Sequence, residues 1–177
     1  MRIIGGKLKG RKITAPSKLP VRPTTDFAKE ALFNMLRNEF DFSELKILDV
    51  CAGTGNISYE FASRGADNIL ALDLNFGCVK FIQQTAREND LSIRAMRVDA
   101  LRFLGKKGKN DYSLIFADPP YALKALSTIP DLVFDNNWLE EDGTLILEHG
   151  QENNFEDHKY FQKQKKYGHV HFSFFEK

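Results

Sequence analysis

Cysteine is scarce in this chain of 177 residues, and its two cysteines, Cys51 and Cys78, share no CxxC or Cys/His spacing. Neither a disulfide framework nor a zinc site is therefore predicted. No apolar run approaches the roughly 18 residues that a membrane span requires, and the first residues turn polar too early for a signal peptide. We expect a cytoplasmic protein that folds around a core of its own.

Acidic residues are missing from residues 1–25, which carry seven Lys and Arg, whereas the other 18 Lys and Arg are outnumbered by 24 Asp and Glu. A basic arm on an acidic body is typical of nucleic-acid binding, although a solvated tail has the same composition. An ordered hairpin is favoured because apolar residues alternate with glycines in this arm. We divide the chain into a basic N-terminal extension, residues 1–25, and a body, residues 26–177.

Short apolar runs alternate with helical spacing through the body. The runs cover 47–51, 69–73, 93–98, 113–117 and 145–148, and helices are predicted from an N-cap at 24–26, at about 56–63, up to 88, and near 122–135. Strands that alternate with helices indicate βαβ units and a mostly parallel sheet. Two last runs, 160–166 and 169–175, predict a closing hairpin. The predicted fold class is α/β, with a mostly parallel seven-stranded sheet and a C-terminal antiparallel hairpin.

An aspartate lies at or just beyond the end of each of the first four strands: Asp49, Asp73, Asp99 and Asp118. The carboxyl ends of parallel strands meet at one edge of a sheet, where ligands bind near the point at which the strand order reverses. One acid at a strand end means little, but four at the same edge indicate a binding pocket.

The stretch DVCAGTGN, residues 49–56, excludes two common nucleotide sites. A dinucleotide fingerprint would need glycine where Ser58 stands, and the Gly-Lys-Ser/Thr of a P-loop is absent. Glycines here let the backbone approach a ligand, while Asp73 is placed to accept from ribose hydroxyls and Asp99 from an adenine amine. Ribose, adenine and no phosphate grip indicate S-adenosylmethionine. Cofactor contacts are predicted at Asp49, Ala52, Gly53, Gly55, Asp73, Asp99 and Ala100.

Several short motifs match one known enzyme family. They are Arg2-Ile3-Ile4-Gly5-Gly6, Gly10-Arg11, RPTTD (22–26), LFN (32–34), AGTG (52–55), SRGA (63–66) and DPPY (118–121). On these motifs the chain resembles the RsmD-type 16S ribosomal RNA guanine-N2 methyltransferases over nearly its whole length. Phe27 and Lys29 stand where these enzymes usually carry arginine.

This resemblance implies a Rossmann-like methyltransferase fold for residues 26–177, with S-adenosylmethionine as the donor. It implies methylation of the N2 amine of guanine 966 in 16S rRNA, within the small ribosomal subunit or its assembly intermediate. We expect a monomer that needs neither metal nor membrane. RNA contacts are expected in the extension, at Arg2, Lys7, Lys9, Arg11, Lys12, Arg22 and Thr24.

The motif DPPY directly follows the fourth apolar run. Two prolines stop a strand and stiffen the corner, so a turn without any chemistry would also explain them. A base amine is a poor nucleophile, because its lone pair is delocalised into the ring, and it needs acceptors for its N–H bonds. Asp118 and the carbonyl of Pro119 are predicted to be these acceptors, and Tyr121 to stack on a flipped base.

Two other functions are open on the sequence alone. DPPY also occurs in adenine-N6 methyltransferases that act on DNA, although 177 residues leave little room for a DNA-recognition domain. A non-catalytic RNA-binding assembly factor could keep the same fold, but it would not need four acids at one edge. The histidines are expected at the surface or on an edge strand, not at a metal. They are His149, His158, His169 and His171.

Overall fold

A computed structural model describes residues 1–19 and 25–177. Within these ranges seven strands form one sheet and five α-helices pack against it. The elements in chain order are α1 (Asp26–Leu36), β1 (Lys46–Val50), α2 (Asn56–Ser63), β2 (Asn68–Asp73), α3 (Phe76–Glu88), β3 (Ile93–Arg97), α4 (Ala100–Leu104), β4 (Tyr112–Ala117), α5 (Ile129–Asp135), β5 (Leu139–His149), β6 (Phe161–Tyr167) and β7 (Val170–Phe175).

The strand order across the sheet is β3-β2-β1-β4-β5-β7-β6. Strands β1 to β5 pair in parallel, and β7 pairs antiparallel with both β5 and β6. The order reverses between β1 and β4, so a crevice opens beyond their carboxyl ends. The predicted α/β class, with its seven-stranded sheet and closing hairpin, is confirmed.

Apolar layers on both faces of the sheet explain why its central strands read as unbroken apolar runs. Ile47 and Phe116 face α1, α2 and α3, whereas Leu48 and Ile115 face α4 and α5. All four side chains are fully buried. With its centre covered on both sides, the sheet leaves its carboxyl edge for ligands.

Three elements differ from the sequence prediction. Helix α5, predicted near 122–135, begins only at Ile129, with Pro130 in its first turn, where proline is favoured. The five-residue helix α4 was not predicted, because it is too short to show a helical period. Its N-cap is Asp99, whose Oδ1 accepts a hydrogen bond from the N–H of Arg102 at 2.9 Å. Strand β5 begins at Leu139, well before the apolar run. The sequence prediction missed this start because three of the first four residues are acids that lie partly or fully exposed.

The basic extension folds as the expected small hairpin. The N–H of Ile3 donates to the carbonyl of Arg11 at 2.9 Å, and Arg2 bridges Lys12 in antiparallel register. The side chains of Ile3 and Ile13 join the core beside α1. Thus the arm is anchored by apolar burial over residues 1–13. Arg22 and Thr24 lie outside the described residues, and Thr25 caps α1 by accepting from the N–H of Ala28.

The expected surface position is wrong for two histidines. His149 is fully buried and His171 nearly so, because β7 lies inside the sheet between β5 and β6. The two ring nitrogens of His149 face the carbonyl of Gly150 at 2.7 Å and the hydroxyl of Ser173 at 2.8 Å. Burial lowers the pKa of His149, so a neutral ring that donates to Gly150 and accepts from Ser173 satisfies this site.

Candidate active site

The loop between β1 and α2, residues 51–55 and here called the glycine loop, is bound closely to β2. The N–H of Ala52 donates to the carbonyl of Leu72, and the N–H of Gly55 donates to the carbonyl of Ala52, both at 2.8 Å. Gly55 has φ +82°, and a Cβ there would lie 2.9 Å from Ile82 Cγ1 and from the ring of Tyr59. Because both neighbours are buried, only glycine fits without displacing the core.

Asp73 holds the loop from the end of β2. Its Oδ2 accepts a hydrogen bond from the N–H of Gly53, and its Oδ1 accepts one from the N–H of Asn75, each at 2.8 Å. The sequence predicted a ribose contact here, and the structure adds a second task. A half-buried carboxylate on these amides fixes the loop beside the place where the ribose is expected.

Cys51, the first residue after β1, lies among all four predicted acids. Burial, together with the smaller effects of nearby aspartate charges, raises the pKa of its thiol to about 12. These aspartates are Asp73, Asp118, Asp49 and Asp99. Acids that are far apart in sequence are therefore brought near one thiol at the carboxyl end of β1.

Asp49 differs from the other three because it lies below the edge rather than on it. Its side chain is only 1% exposed and accepts a hydrogen bond from the hydroxyl of Ser58. Burial raises the pKa of Asp49 to about 7, against the lowering effect of Ser58 and with a smaller contribution from Asp73. The carboxyl group fixes the start of α2, so we propose an indirect role at the cofactor site.

A measurable pH dependence of stability follows from Asp49. Between about pH 4, where an unfolded Asp loses its proton, and about pH 7, the folded protein keeps a proton that the unfolded chain has released. The free energy of unfolding should therefore fall as the pH rises through this window, and this contribution should become constant above it. Asp49→Asn, whose amide oxygen still accepts from Ser58, should lack this decline. Denaturation of both proteins at several pH values measures the difference, and parallel curves would contradict the assignment.

Asp99 and Ala100 occupy the junction between β3 and α4, and both are half-buried. The Asp99 carboxylate caps α4 through the N–H of Arg102. The cap explains the local structure, and it leaves an oxygen that is not bonded to Arg102 for the predicted adenine contact.

The DPPY segment leaves the end of β4 beside β1. The N–H of Asp118 donates to the carbonyl of Val50 at 3.1 Å, so Asp118 is held next to the glycine loop. Pro119 is buried, and Tyr121 is half-buried. The hydroxyl of Tyr121 donates to Glu148 Oε1 at 3.1 Å, near the end of β5. The segment is therefore fixed to two neighbouring strands at the same edge.

The basic arm borders this edge. A cavity of about 780 Å³ is lined by the arm, by Asp26 at the start of α1 and by Thr54 of the glycine loop. Arg2 and Lys12 line it from the arm side. All five predicted RNA contacts in the described part of the arm are exposed: Arg2, Lys7, Lys9, Arg11 and Lys12. Cationic side chains thus lie beside the loop predicted to hold the cofactor.

A buried carboxylate, Glu60, attaches the arm to α2. It accepts hydrogen bonds from the N–H groups of Ile4 and Gly5 at 2.9 and 2.8 Å, and from Arg64 Nε at 2.9 Å. The Nζ atom of Lys29 lies 3.6 Å from its Oε2, and both side chains are almost completely buried. Glu60 therefore has partners for both oxygens, as a buried charge requires.

Lys29 connects the arm to the start of α2, directly after the loop between β1 and α2. Its Nζ donates to the carbonyl of Arg2 at 2.7 Å and to Asn56 Oδ1 at 2.8 Å. Asn56 directly follows Gly55, so one ammonium group contacts the arm, the start of α2 and Glu60. Burial lowers the pKa of Lys29, while the carboxylates of Glu60 and Asp26 oppose that shift.

Sequence reasoning missed two acids that matter here. Glu148 follows the same rule as the four aspartates, an acid at the end of an apolar run, and could have been found that way. Glu60 lies inside α2 and looks like an ordinary surface residue of a helix. Its role depends on tertiary contacts with the arm, which no local pattern reveals.

Known proteins resemble this chain in sequence and in fold. The family model described as Conserved hypothetical protein 95 matches residues 1–176. Ribosomal RNA small subunit methyltransferase D of Escherichia coli (strain K12) is 32% identical over 154 residues, 86% of this chain and 76% of that protein. The solved yhhF protein of Escherichia coli has a TM-score of 0.83 at 28% identity, over 99% of this chain and 96% of that one.

A more distant solved structure shares the fold. The 16S rRNA N2 methyltransferase RsmC of T. thermophilus, in complex with AdoMet and guanosine, has a TM-score of 0.73 at 19% identity. The whole of the present chain aligns with 49% of the RsmC chain.

The strand order and the acids at the carboxyl edge define a Rossmann-like methyltransferase. Within that class, the chain belongs to the Conserved hypothetical protein 95 family, which is the RsmD family of ribosomal RNA small subunit methyltransferases. The family predicted from the motifs is thereby confirmed. Across the described residues, no helix combines the length and apolar character that a bilayer crossing demands.

Proposed function

We propose that this chain transfers a methyl group from S-adenosylmethionine to the N2 amine of guanine 966 in 16S rRNA. The carrying observation is the meeting of the glycine loop, Asp73 and Asp118 at one edge of the sheet in an RsmD-family chain. We propose further that it acts as a cytoplasmic monomer on the small ribosomal subunit or its assembly intermediate.

The residues at this edge fit S-adenosylmethionine. Gly53 and Gly55 allow close approach of a ligand to the backbone. Each oxygen of Asp73 accepts one backbone hydrogen bond, and a carboxylate oxygen has a second lone pair for a ribose hydroxyl. The loop lacks the lysine of a phosphate-binding P-loop. When bound, S-adenosylmethionine supplies a methyl group that its sulfonium charge has already activated.

The DPPY segment supplies what the amine needs. We propose that Asp118 accepts one N–H of the guanine amine and the Pro119 carbonyl the other, which orients the nitrogen lone pair. The Asp118 carboxylate would also stabilise the positive charge that the nitrogen acquires as its bond to the methyl carbon forms and the methyl–sulfur bond breaks, leaving S-adenosylhomocysteine as a neutral thioether. It then takes up the proton. Tyr121, held by Glu148, offers a ring in a fixed position for stacking on the flipped base.

Labelled-methyl transfer tests this function directly. Small subunits, naked 16S rRNA and duplex DNA are offered side by side with S-adenosylmethionine. Transfer to either 16S substrate at guanine 966, without transfer to DNA, is the expected result. Transfer to adenine in DNA would replace the proposal by the DNA enzyme. Binding of RNA without any transfer would favour the assembly factor.

The arm is expected to supply most of the phosphate contacts. A variant with Lys7, Lys9, Arg11 and Lys12 replaced by alanine should bind 16S rRNA more weakly. Its slope of log K against log[salt] should flatten by about 3, taking roughly 0.7–0.9 per lost phosphate contact. Cofactor affinity should stay unchanged, because these side chains are exposed on the arm and are not part of the loop between β1 and α2. Filter binding over a salt series measures the slope.

A control for this variant comes from the other edge of the sheet. Lys106, Lys107 and Lys109 are exposed between α4 and the start of β4. Replacing these three with alanine should leave the slope close to wild type. The opposite result would contradict the proposal. If the slope is unchanged in the arm variant but flattens in the control, RNA is bound at the opposite edge of the sheet and the arm is a solvated hairpin.

A further inference from the structure

An exposed aromatic pair lies beside the start of α1. Phe27, in the first turn of this helix, is 70% exposed. Its ring meets that of Tyr167 edge to face, with the centroids 6.1 Å apart. Tyr167 in turn packs against the buried ring of Phe172. The pair therefore has a firm base in the core and one phenyl ring presented to solvent.

Topology places this pair at the carboxyl edge of the sheet, where the proposed active site lies. Strand β7 runs antiparallel to β5, and β6 runs antiparallel to β7, so β6 ends at the same edge as β4 and β5. Tyr167 is the last residue of β6, and Gly168 turns the chain there with φ +63°. Phe27 reaches this edge from α1, whose Lys29 contacts Asn56 at the start of α2.

Charge makes this surface suited to a polyanion. Lys165 points to the same face of β6 as Tyr167, two residues away, and is exposed. Lys166 and His169 are exposed at the same turn. Burial lowers the pKa of neighbouring His171, and the charges of Lys166 and His169 lower it further. Only the carboxylate of Glu152 acts in the opposite direction among these groups. Cations thus outnumber acids around the β6–β7 turn.

The pair is also continuous with the basic arm. Asp26, next to Phe27, lies 3.7 Å from Arg2 in an exposed ion pair and lines the cavity beside the arm. A strand of RNA that follows the arm toward Asp118 would therefore pass the start of α1. An exposed ring on such a path offers a stacking surface that any base can use.

We propose that Phe27, supported by Tyr167, is a stacking platform for an unpaired 16S rRNA nucleotide that flanks the target guanine. Lys165 and the β6–β7 turn contact the adjoining phosphates. The platform rests on the proposed function, because it takes its occupant from the substrate of the neighbouring site. It also gives Phe27 a recognition role that needs no charge.

Affinity measurements on Phe27 variants test the platform. Phe27→Ala should bind the better of the two 16S substrates about tenfold more weakly, in line with the loss of one stacked base. Its salt slope should match wild type, because no phosphate contact is lost. Phe27→Tyr keeps the ring and should bind within about twofold of wild type. Phe76→Ala is the matched control, since Phe76 is 63% exposed at the start of α3, on the other flank of the site.

The outcomes separate the platform from the function. Equal RNA affinity of Phe27→Ala and wild type would overturn the platform, as would an equal loss in Phe76→Ala. A wild-type dimer that Phe27→Ala dissociates, seen by sedimentation without an RNA effect, would make the pair a contact between copies instead. If the expected pattern of affinities is found but no methyl is transferred, the proposed function fails while the platform stands.

Discussion

Replacing Asp118 with alanine is expected to reduce methyl transfer by about 10²–10³-fold, the usual loss when one preorganised partner of developing charge is removed. Cofactor affinity should stay near wild type, because the proposed partner of Asp118 is the base amine. The position of the Asp118 backbone should also be kept in the variant, because the hydrogen bond from its N–H to the carbonyl of Val50 does not involve the side chain. Single-turnover methyl transfer and calorimetry with S-adenosylhomocysteine measure the two quantities.

Asp111 provides the control for this variant. It is exposed just before β4, at the opposite end of the same strand, so Asp111→Ala makes the same change of charge away from the edge. Its transfer rate should match wild type. Asp118→Asn should fall between the two, because its amide oxygen still accepts an N–H but carries no charge. A large loss of cofactor affinity in Asp118→Ala would instead move Asp118 into the cofactor site.

The parts of the site that follow from strand direction were predictable from the sequence. Parallel strands end at one edge, so an acid at each end, as with Asp73 and Asp118, implies a common pocket without knowledge of the packing. The glycine loop was equally accessible, because positive φ and close approach restrict residue choice locally. Fold class followed from the alternation of strands and helices.

Burial was not predictable in the same way. Asp49 precedes the end of β1 by one residue, and that single step places its carboxyl below the edge, where Ser58 binds it. His149 is buried because β7 inserts between β5 and β6, an arrangement of the sheet that chain order does not reveal. Both cases depend on which element packs against which, and a local pattern carries no such information.

The attachment of the arm shows the same limit and has an energetic consequence. A composition of cations and glycines suggested a separate extension at residues 1–25. The structure shows in addition that its first residues are attached to α2 through the buried Glu60, whose oxygens accept from Ile4 and Gly5. The stability of the domain, and the RNA binding that we propose for the arm, therefore depend on one carboxylate.

Glu60→Gln is expected to lower the free energy of unfolding by about 3–5 kcal/mol, the range for removing one partner of a buried ion pair. The variant leaves the buried ammonium of Lys29 without its charged partner. It also turns an NH₂ group toward the donors of the arm or of Arg64, since Gln has only one acceptor oxygen. Urea denaturation measures the loss. Hydrogen exchange should show faster opening at Ile4 or Gly5, because these amides bond to different oxygens of Glu60 and the single oxygen of Gln leaves one of them without its acceptor.

Glu140→Gln is the matched control, because it removes one charge from the exposed pair with Lys46, whose 2.8 Å contact is as short as any at Glu60. Exposed pairs contribute under about 1 kcal/mol, so this variant should remain close to wild type. If both variants lose the same small amount, Glu60 is not an energetically important anchor. If Glu60→Gln loses stability while exchange at Ile4 and Gly5 stays slow, the carboxylate stabilises α1 and α2 without holding the arm. Loss of stability together with fast exchange at one or both of these amides is the result that makes Glu60 the anchor of the arm.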